Sequence, residues 1–460
     1  MDYRIEKDSM GDVRVPGDAY WGAQTERAVG NFPISGLRAH PKLIWATGAV
    51  KRAAADVNRE MGKLDPKLAA AIVQAASEVM EGRFDGQFVV DVYQAGAGTS
   101  HNMNANEVVA NRALELMGHP RGDYPACHPN DHVNMSQSTN DVFPTAMRLA
   151  GMAMLHGLVD ELQGLAMALR VKSAEFDDVL KSARTHLQDA VPIRLGQEFS
   201  GYMVAAEKGV ARLIASMAEL GELGIGGTAA GTGMNSGKDY ARLVVDRLRD
   251  VTGFDLHPSP NLFYSMQSQA AVLSASGALR GIAADLVRIA SDLRLMSSGP
   301  RTGLSEISLP AVQPGSSIMP GKVNPVMAEM LNMVCFQVAG NDRTIELAAQ
   351  AGQLELNVMM PVMAHNLLSS ATILKNAVGA FTRRCVSGVT ANRERCRAYA
   401  EGSLGMATAL NPYIGYMKAA EVAKEALATG RSISAVARSK GCMTEEELKK
   451  ALDPMRLTEP

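Results

Sequence analysis

The residues best placed to do chemistry lie in one stretch, Gly315-Ser316-Ser317-Ile318-Met319-Pro320-Gly321-Lys322-Val323-Asn324-Pro325. Two adjacent hydroxyls, an ammonium and an amide are punctuated by glycines and prolines. Glycine opens backbone conformations closed to other residues, and proline stops helix propagation, so the stretch is an irregular loop. It is not a phosphate-binding P-loop. That motif needs four residues between its glycines, and five separate Gly315 from Gly321. A hydroxyl should follow the lysine to meet magnesium, and Val323 follows Lys322 instead. No β-branched strand precedes the loop. It reads as an anion pocket: Lys322 and Asn324 suit a carboxylate, and Ser316 or Ser317 can touch a reacting group.

Three other polar segments interrupt apolar sequence: 94–104, 128–141 and 182–189. Each alone reads as turn and capping chemistry, because Ser, Thr, Asn and Asp cap helices. Taken with the first loop they offer Thr99, Ser138, Thr139, Asn140, Thr185, His186, Ser316, Ser317, Lys322 and Asn324. This set is rich in neutral donors and has one firm cation. It suits a small anion with several oxygens, such as a dicarboxylate. His128 and His132 have the i, i+4 spacing of a metal pair. Pro129-Asn130-Asp131 between them argues against the helix that would point both inward, and no third ligand is evident, so no metal is expected. Gly226–Gly233 lacks the G-x-G-x-x-G spacing and the βαβ frame of a dinucleotide site. There is no G-x-S-x-G elbow, acid pair or dense Cys/His cluster, and no cofactor is expected.

The elements that must position these residues are helical. The chain has 460 residues, 47% of them hydrophobic and only 5% aromatic. Ala, Leu and Met, all strong helix formers, are abundant. Residues 3–16 read as a short hairpin, with Met10-Gly11-Asp12 at the turn. Helices are expected over about 41–61, 66–80, 106–117, 144–179, 195–220, 264–298, 326–347 and 357–381. Within 264–298, Leu279, Ile282, Ala283, Leu286, Ile289, Ala290 and Leu293 recur at i, i+3, i+4, i+7. A helix of that span would run roughly 50 Å. Residues 272–278 are small and apolar nearly all round, which implies cover from other subunits. Thr444-Glu445-Glu446-Glu447 reads as a capping box. The expected architecture is all-α with a small N-terminal β-hairpin. It comprises an N-terminal domain (1–139), a central long-helix bundle (140–391) and a small C-terminal helical domain (392–460).

The net charge is −2, with acids and bases interspersed, which gives no electrostatic footprint for nucleic acid or an anionic membrane. No apolar run approaches the ~18–20 residues that span a bilayer. The five cysteines are odd in number and scattered, with no disulfide or zinc spacing. The charged N-terminus lacks a signal-peptide core, and a reducing cytoplasm is the expected compartment.

The loop 315–325, GSSIMPGKVNP, resembles the signature of the fumarase/aspartase superfamily almost letter for letter. Residues 98–104, 134–141 and 184–189 resemble the remaining blocks of that family in the same order, as do 298–301 and 356–358. The resemblance covers nearly the whole chain. It implies a homotetramer of all-helical subunits whose long helices merge into one bundle, with each active site built from three chains. The chemistry implied is reversible anti elimination across a C–C bond of a four-carbon dicarboxylate. By matching positions, Ser316 would be the base, helped by loop N–H groups and Lys322. Thr99, Ser138, Thr139 and Ser317 would hold the carboxylate that becomes an aci-carboxylate. Lys322, Asn324 and Thr185 would hold the other. Asn140 and His186 would face the leaving group.

Gly96-Ala97-Gly98-Thr99-Ser100, Gln137-Ser138-Thr139-Asn140, 295–301 and 351–353 resemble the aspartase branch, which releases ammonia from L-aspartate to give fumarate. The alternative is the class II fumarase branch, which releases water from L-malate. His128, His365-Asn366 and 413–420 resemble that branch, and Met360 stands where aspartases commonly carry Glu. A lyase with a larger leaving group (argininosuccinate or adenylosuccinate) and a non-enzymatic, crystallin-like role are the remaining readings. The first is opposed by the matches beyond the signature. The second is opposed by the intact Ser316, Lys322, Asn324, Thr185 and His186.

Overall fold

The structure is a computed structural model that describes residues 2–453 and 455–459. Helix accounts for 63% of the chain. The N-terminal hairpin pairs β1 (Tyr3–Asp8) with β2 (Gly11–Pro16). After α1 (Ala23–Asn31) come α2 (Pro41–Glu60) and α3 (Pro66–Met80), both with proline in the first turn, where no N–H is missed. The Asp65 carboxylate caps α3 by accepting from Lys67 and Leu68 N–H. Then come α4 (Thr99–Leu116), α5 (Thr139–Glu175), the hairpin β3 (Leu180–Thr185) and β4 (Gln188–Arg194), and α6 (Leu195–Leu220). Further on are α7 (Tyr240–Thr252), α8 (Leu262–Gln267), α9 (Ala270–Met296), α10 (Val326–Gln350) and α11 (Met360–Arg384). The chain ends in α12 (Arg393–Gly402), α13 (Asn411–Ile414), α14 (Tyr416–Thr429), α15 (Ile433–Ser439) and α16 (Glu445–Ala451).

By its internal contacts the chain forms two units. One comprises Met1–Val159, Ala211–Ala283 and Phe336–Leu374, the other Asp160–Val210, Ala284–Cys335 and Lys375–Pro460. In the first unit α2, α3 and α4 enclose a core around Ile44, Ile72, Ala75, Val108, Val109 and Leu114. In the second, Leu410, Val422, Val436 and Leu448 gather α14 to α16 into a small core of their own. The Thr444–Glu447 capping box is present with both reciprocal bonds.

The seven stripe residues of α9 are all buried, from 0% to 3% exposed. The helix is shorter than expected because Ser268-Gln269 break it from α8; at 27 residues it runs about 40 Å. Two other expectations need correction. Helix α4 begins at Thr99, seven residues before the expected start, and Ser100-His101-Asn102-Met103-Asn104 are buried helical turns rather than loop. The segment 182–189 belongs to a bulged β-hairpin, whose tip places His186 and Leu187 at positive φ. A third correction concerns hydropathy. Helices α5 and α9 are each long and apolar enough to cross a membrane. The apolar window of α5 is 83% buried inside the chain, that of a core helix, whereas the window of α9 is 39% buried.

Candidate functional site

The candidate residues fall into two groups, one in each unit. In the first unit, Thr99 and Ser138–Asn140 stand at the N-termini of α4 and α5. Gly98 makes the turn into α4 at φ +82°, and a Cβ there would run into the Phe143 ring of α5. The Ala97 N–H donates to Val358 O at 2.7 Å. Ser138 caps α5: its carbonyl accepts from Asp141 and Val142, and its hydroxyl accepts from Asn140 N–H at 3.2 Å. The Asp141 carboxylate, wholly buried, accepts from the N–H groups of Ser138, Gly226 and Thr228 at 2.9–3.0 Å. That carboxylate pins the glycine-rich segment onto the start of α5. Asn140 Nδ2 donates to Ala229 O at 2.8 Å, and Oδ1 accepts no hydrogen bond among the described residues. The Asn102 amide of α4 donates to Thr139 Oγ1 at 3.0 Å, so the two helix starts are adjacent. Each helix N-terminus carries partial positive charge and unpaired N–H groups, a setting that favours a carboxylate.

Behind Thr139 lies Lys51 of α2, an ammonium that sequence reasoning missed. It is 0% exposed. Burial pulls it down to about 7, against the attraction of Asp141. Burial, reinforced by Lys51, holds His101 down to about 4, so its ring is neutral. Burial raises Asp141 to about 6 in spite of its three N–H donors. Lys51 sits in the alanine-rich run Ala49–Ala55, where a lysine reads as a solvated face. No sequence signal distinguishes it.

In the second unit the loop 315–325 is closed by its own ends. Asn324 Nδ2 donates to Gly315 O at 2.7 Å, and a Cβ on Gly315 would overlap the Lys322 carbonyl. Ser316 Oγ accepts from Met319 N–H at 2.9 Å and Ile318 N–H at 3.3 Å. Lys322 Nζ donates to Asn324 Oδ1 at 2.9 Å, so these two residues form one donor cluster. Lys322 makes no hydrogen bond to Ser316, and the loop N–H groups are the ones that reach its oxygen. Ser317 is exposed on the same loop. Lys322 and Asn324 border a cleft with Arg294, Ser298 and Glu329, and Glu329 is a carboxylate not singled out from the sequence.

Thr185 and His186 stand exposed at the tip of the β3–β4 hairpin. Among the described residues no hydrogen bond joins that tip to the loop 315–325. Strand β3 is fixed by Glu306, which is fully buried and pairs with Lys181 Nζ at 3.0 Å and Arg184 at 2.8 Å. His128 caps one short turn and His132 lies within it. A single π-turn, Pro129–Val133, does join them, contrary to the expectation that proline would forbid helix there. Each Nδ1 is taken by backbone: His128 N–H donates to His132, and Asn130 and Asp131 N–H donate to His128.

The chain is mostly helical, with polar residues at two helix starts and a serine-lysine-asparagine loop. Residues 11–340 match the family described as Lyase, and residues 406–459 match Fumarase C C-terminus. The chain belongs to this family of lyases, the fumarase/aspartase superfamily. It is 50% identical over 459 residues to the aspartate ammonia-lyase of Bacillus subtilis (strain 168), covering 100% of this chain and 97% of that one. It is 51% identical over 458 residues to the class II fumarate hydratase of Halobacterium salinarum, covering 99% and 97%. The crystal structure of a fumarate lyase:delta crystallin from Brucella melitensis superposes with a TM-score of 0.97 at 50% identity, over 100% of both chains.

Proposed function

We propose that the protein is an aspartate ammonia-lyase that converts L-aspartate reversibly to fumarate and ammonia. The observation that carries the elimination is the environment of Ser316. Its oxygen already accepts two backbone N–H bonds, the arrangement that stabilises a serine alkoxide. The alkoxide takes the proton from C3 of aspartate. The electron pair moves into the adjacent carboxylate, giving an aci-carboxylate dianion. That dianion collapses, the C2–N bond breaks, ammonia leaves, and the C2–C3 double bond of fumarate forms. The costly step is the extra negative charge, which preorganised donors offset.

Thr99, Ser138, Thr139 and Ser317 would hold the carboxylate that takes up this charge. Lys322, Asn324 and Thr185 would hold the other. Asn140 and His186 would face the amino group. Asn140 Oδ1 suits an ammonium, which has three N–H donors to place. The relative from Bacillus subtilis supports this leaving group. The fumarate hydratase of Halobacterium salinarum, equally similar, supports the second reading, water from L-malate.

The unit completes itself by assembly into a homotetramer, with each site shared among three chains. Supporting this are the open face of α9 and exposed large apolar residues on the long helices, Ile214 (54%), Met333 (64%) and Phe336 (61%). The division into domains 1–139, 140–391 and 392–460 belongs to the same proposal, as does a cytoplasmic setting, which the five free cysteines suit. Incubation with L-aspartate and, separately, with L-malate, followed by fumarate absorbance, tests the activity. Turnover of aspartate is expected; turnover of malate alone would replace it with the hydratase reading.

A further inference from the structure

Lys51 Nζ donates to three side-chain amide oxygens: Asn102 Oδ1 at 2.8 Å, Asn134 Oδ1 at 2.9 Å and Gln137 Oε1 at 3.0 Å. An ammonium has three N–H bonds and no acceptor, so these contacts use its whole capacity. They also fix which end of each amide faces it. Turning Asn102 over would set its NH2 against the ammonium and its oxygen against Asn134 Oδ1. In the orientation that remains, Asn102 Nδ2 donates one hydrogen to Asn134 Oδ1 at 3.2 Å and the other to Thr139 Oγ1 at 3.0 Å. The Thr139 oxygen is thereby an acceptor on its inner side. Its own hydrogen has no acceptor among the described residues and must point outward.

We infer that Lys51 is a positioning residue: through Asn102 it fixes the Thr139 hydroxyl as a donor to the substrate carboxylate that becomes the aci-carboxylate. The inference rests on the proposed lyase activity, and it is the same for ammonia or water as leaving group. A threonine hydroxyl left to itself can donate or accept, and an orientation that turns its lone pairs to the substrate would oppose an anion. Fixing it before the substrate arrives is the preorganisation that charge stabilisation requires. The donor matters more as charge builds on the carboxylate, so kcat is affected more than KM. Burial of the ammonium is the cost of the arrangement, and Asp141 compensates part of it.

Asn102→Asp tests the chain of bonds. The substitution keeps size and shape and pairs with Lys51, so folding is expected to survive. It removes the hydrogen donated to Thr139 and supplies an acceptor in its place. The Thr139 hydrogen then turns inward, away from substrate. The expected kcat is down about 100-fold, the scale of one lost charge-stabilising donor, with KM changed by less than about fivefold. Thr139→Val added to Asn102→Asp should lower kcat no further than about twofold, because both changes remove one function. Lys51→Met is the second variant, and its loss should likewise be absorbed by Thr139→Val. Where either variant loses the wild-type circular dichroism, the other carries the test. A kcat within twofold of wild type, or losses that multiply with Thr139→Val, would overturn the role. Wild-type turnover is measured first. Its absence removes the lyase activity itself, whereas wild-type turnover with an unaffected Asn102→Asp removes only the role of Lys51.

Discussion

The two groups of candidate residues are built in opposite ways. In the first unit, Thr99 and Ser138–Asn140 rest on two helix starts, and every amide behind them has a fixed partner, back to a lysine that is 0% exposed. In the second unit, loop 315–325 is bonded within itself, and its apolar side chains are in solvent: Ile318 is 83% exposed and Val323 51%. One group is preformed, and it is the proposed receptor for a carboxylate. The other carries the proposed base on a segment with little to hold it in place. Elimination needs both. Charge must be met by donors that do not reorganise, and the base must reach the substrate and let the product leave.

If that contrast holds, changes to the loop should alter turnover and leave stability alone, while changes behind Thr139 should alter stability as well. Ser316→Ala has the largest expected effect. Turnover should fall at least about 10⁴-fold, or about 5.5 kcal/mol, with the thermal midpoint unchanged. Fumarate absorbance and a melting curve check the two halves of that statement, and near-normal activity would remove Ser316 from the chemistry. Asp141→Ala comes next. It strips a buried carboxylate from three N–H donors and should cost about 3 kcal/mol in denaturant unfolding. A stability loss as small as that of Ser316→Ala would erase the contrast. Lys322→Met should raise KM about 30-fold, about 2 kcal/mol of lost carboxylate binding, without changing the melting curve. Gly321→Ala is the mildest. Gly321 sits at φ +81° in open space, so the substitution strains the loop alone, and kcat should change within about threefold.

Much of this was legible in the sequence where one physical signal dominates. Helix 66–80 follows from its proline start, helix 195–220 is found at its expected bounds, and the buried stripe from Leu279 to Leu293 was read residue for residue. The signature loop announced itself through glycine, proline and polar spacing. What was hidden is polar structure that pays off only in three dimensions. Ser100–Asn104 have loop composition, yet they fold as buried helix because Gln94, Lys51 and Gln87 supply partners from elsewhere. The β3–β4 hairpin was hidden because its strands carry charge, and Glu198 and buried Glu306 pair with Lys181 and Arg184. Lys51 itself has no local signature. Its partners Asn102, Asn134 and Gln137 lie 51 to 86 residues away.

The central claim, a serine base and an ammonia-derived leaving group on one dicarboxylate site, is tested most directly in reverse. Fumarate and ammonium are incubated with the protein in D2O and followed by proton NMR. The expected product is L-aspartate with one deuterium at C3 in a single configuration, as anti addition by one base requires. Malate formed without aspartate, or aspartate deuterated in both configurations, would contradict the account.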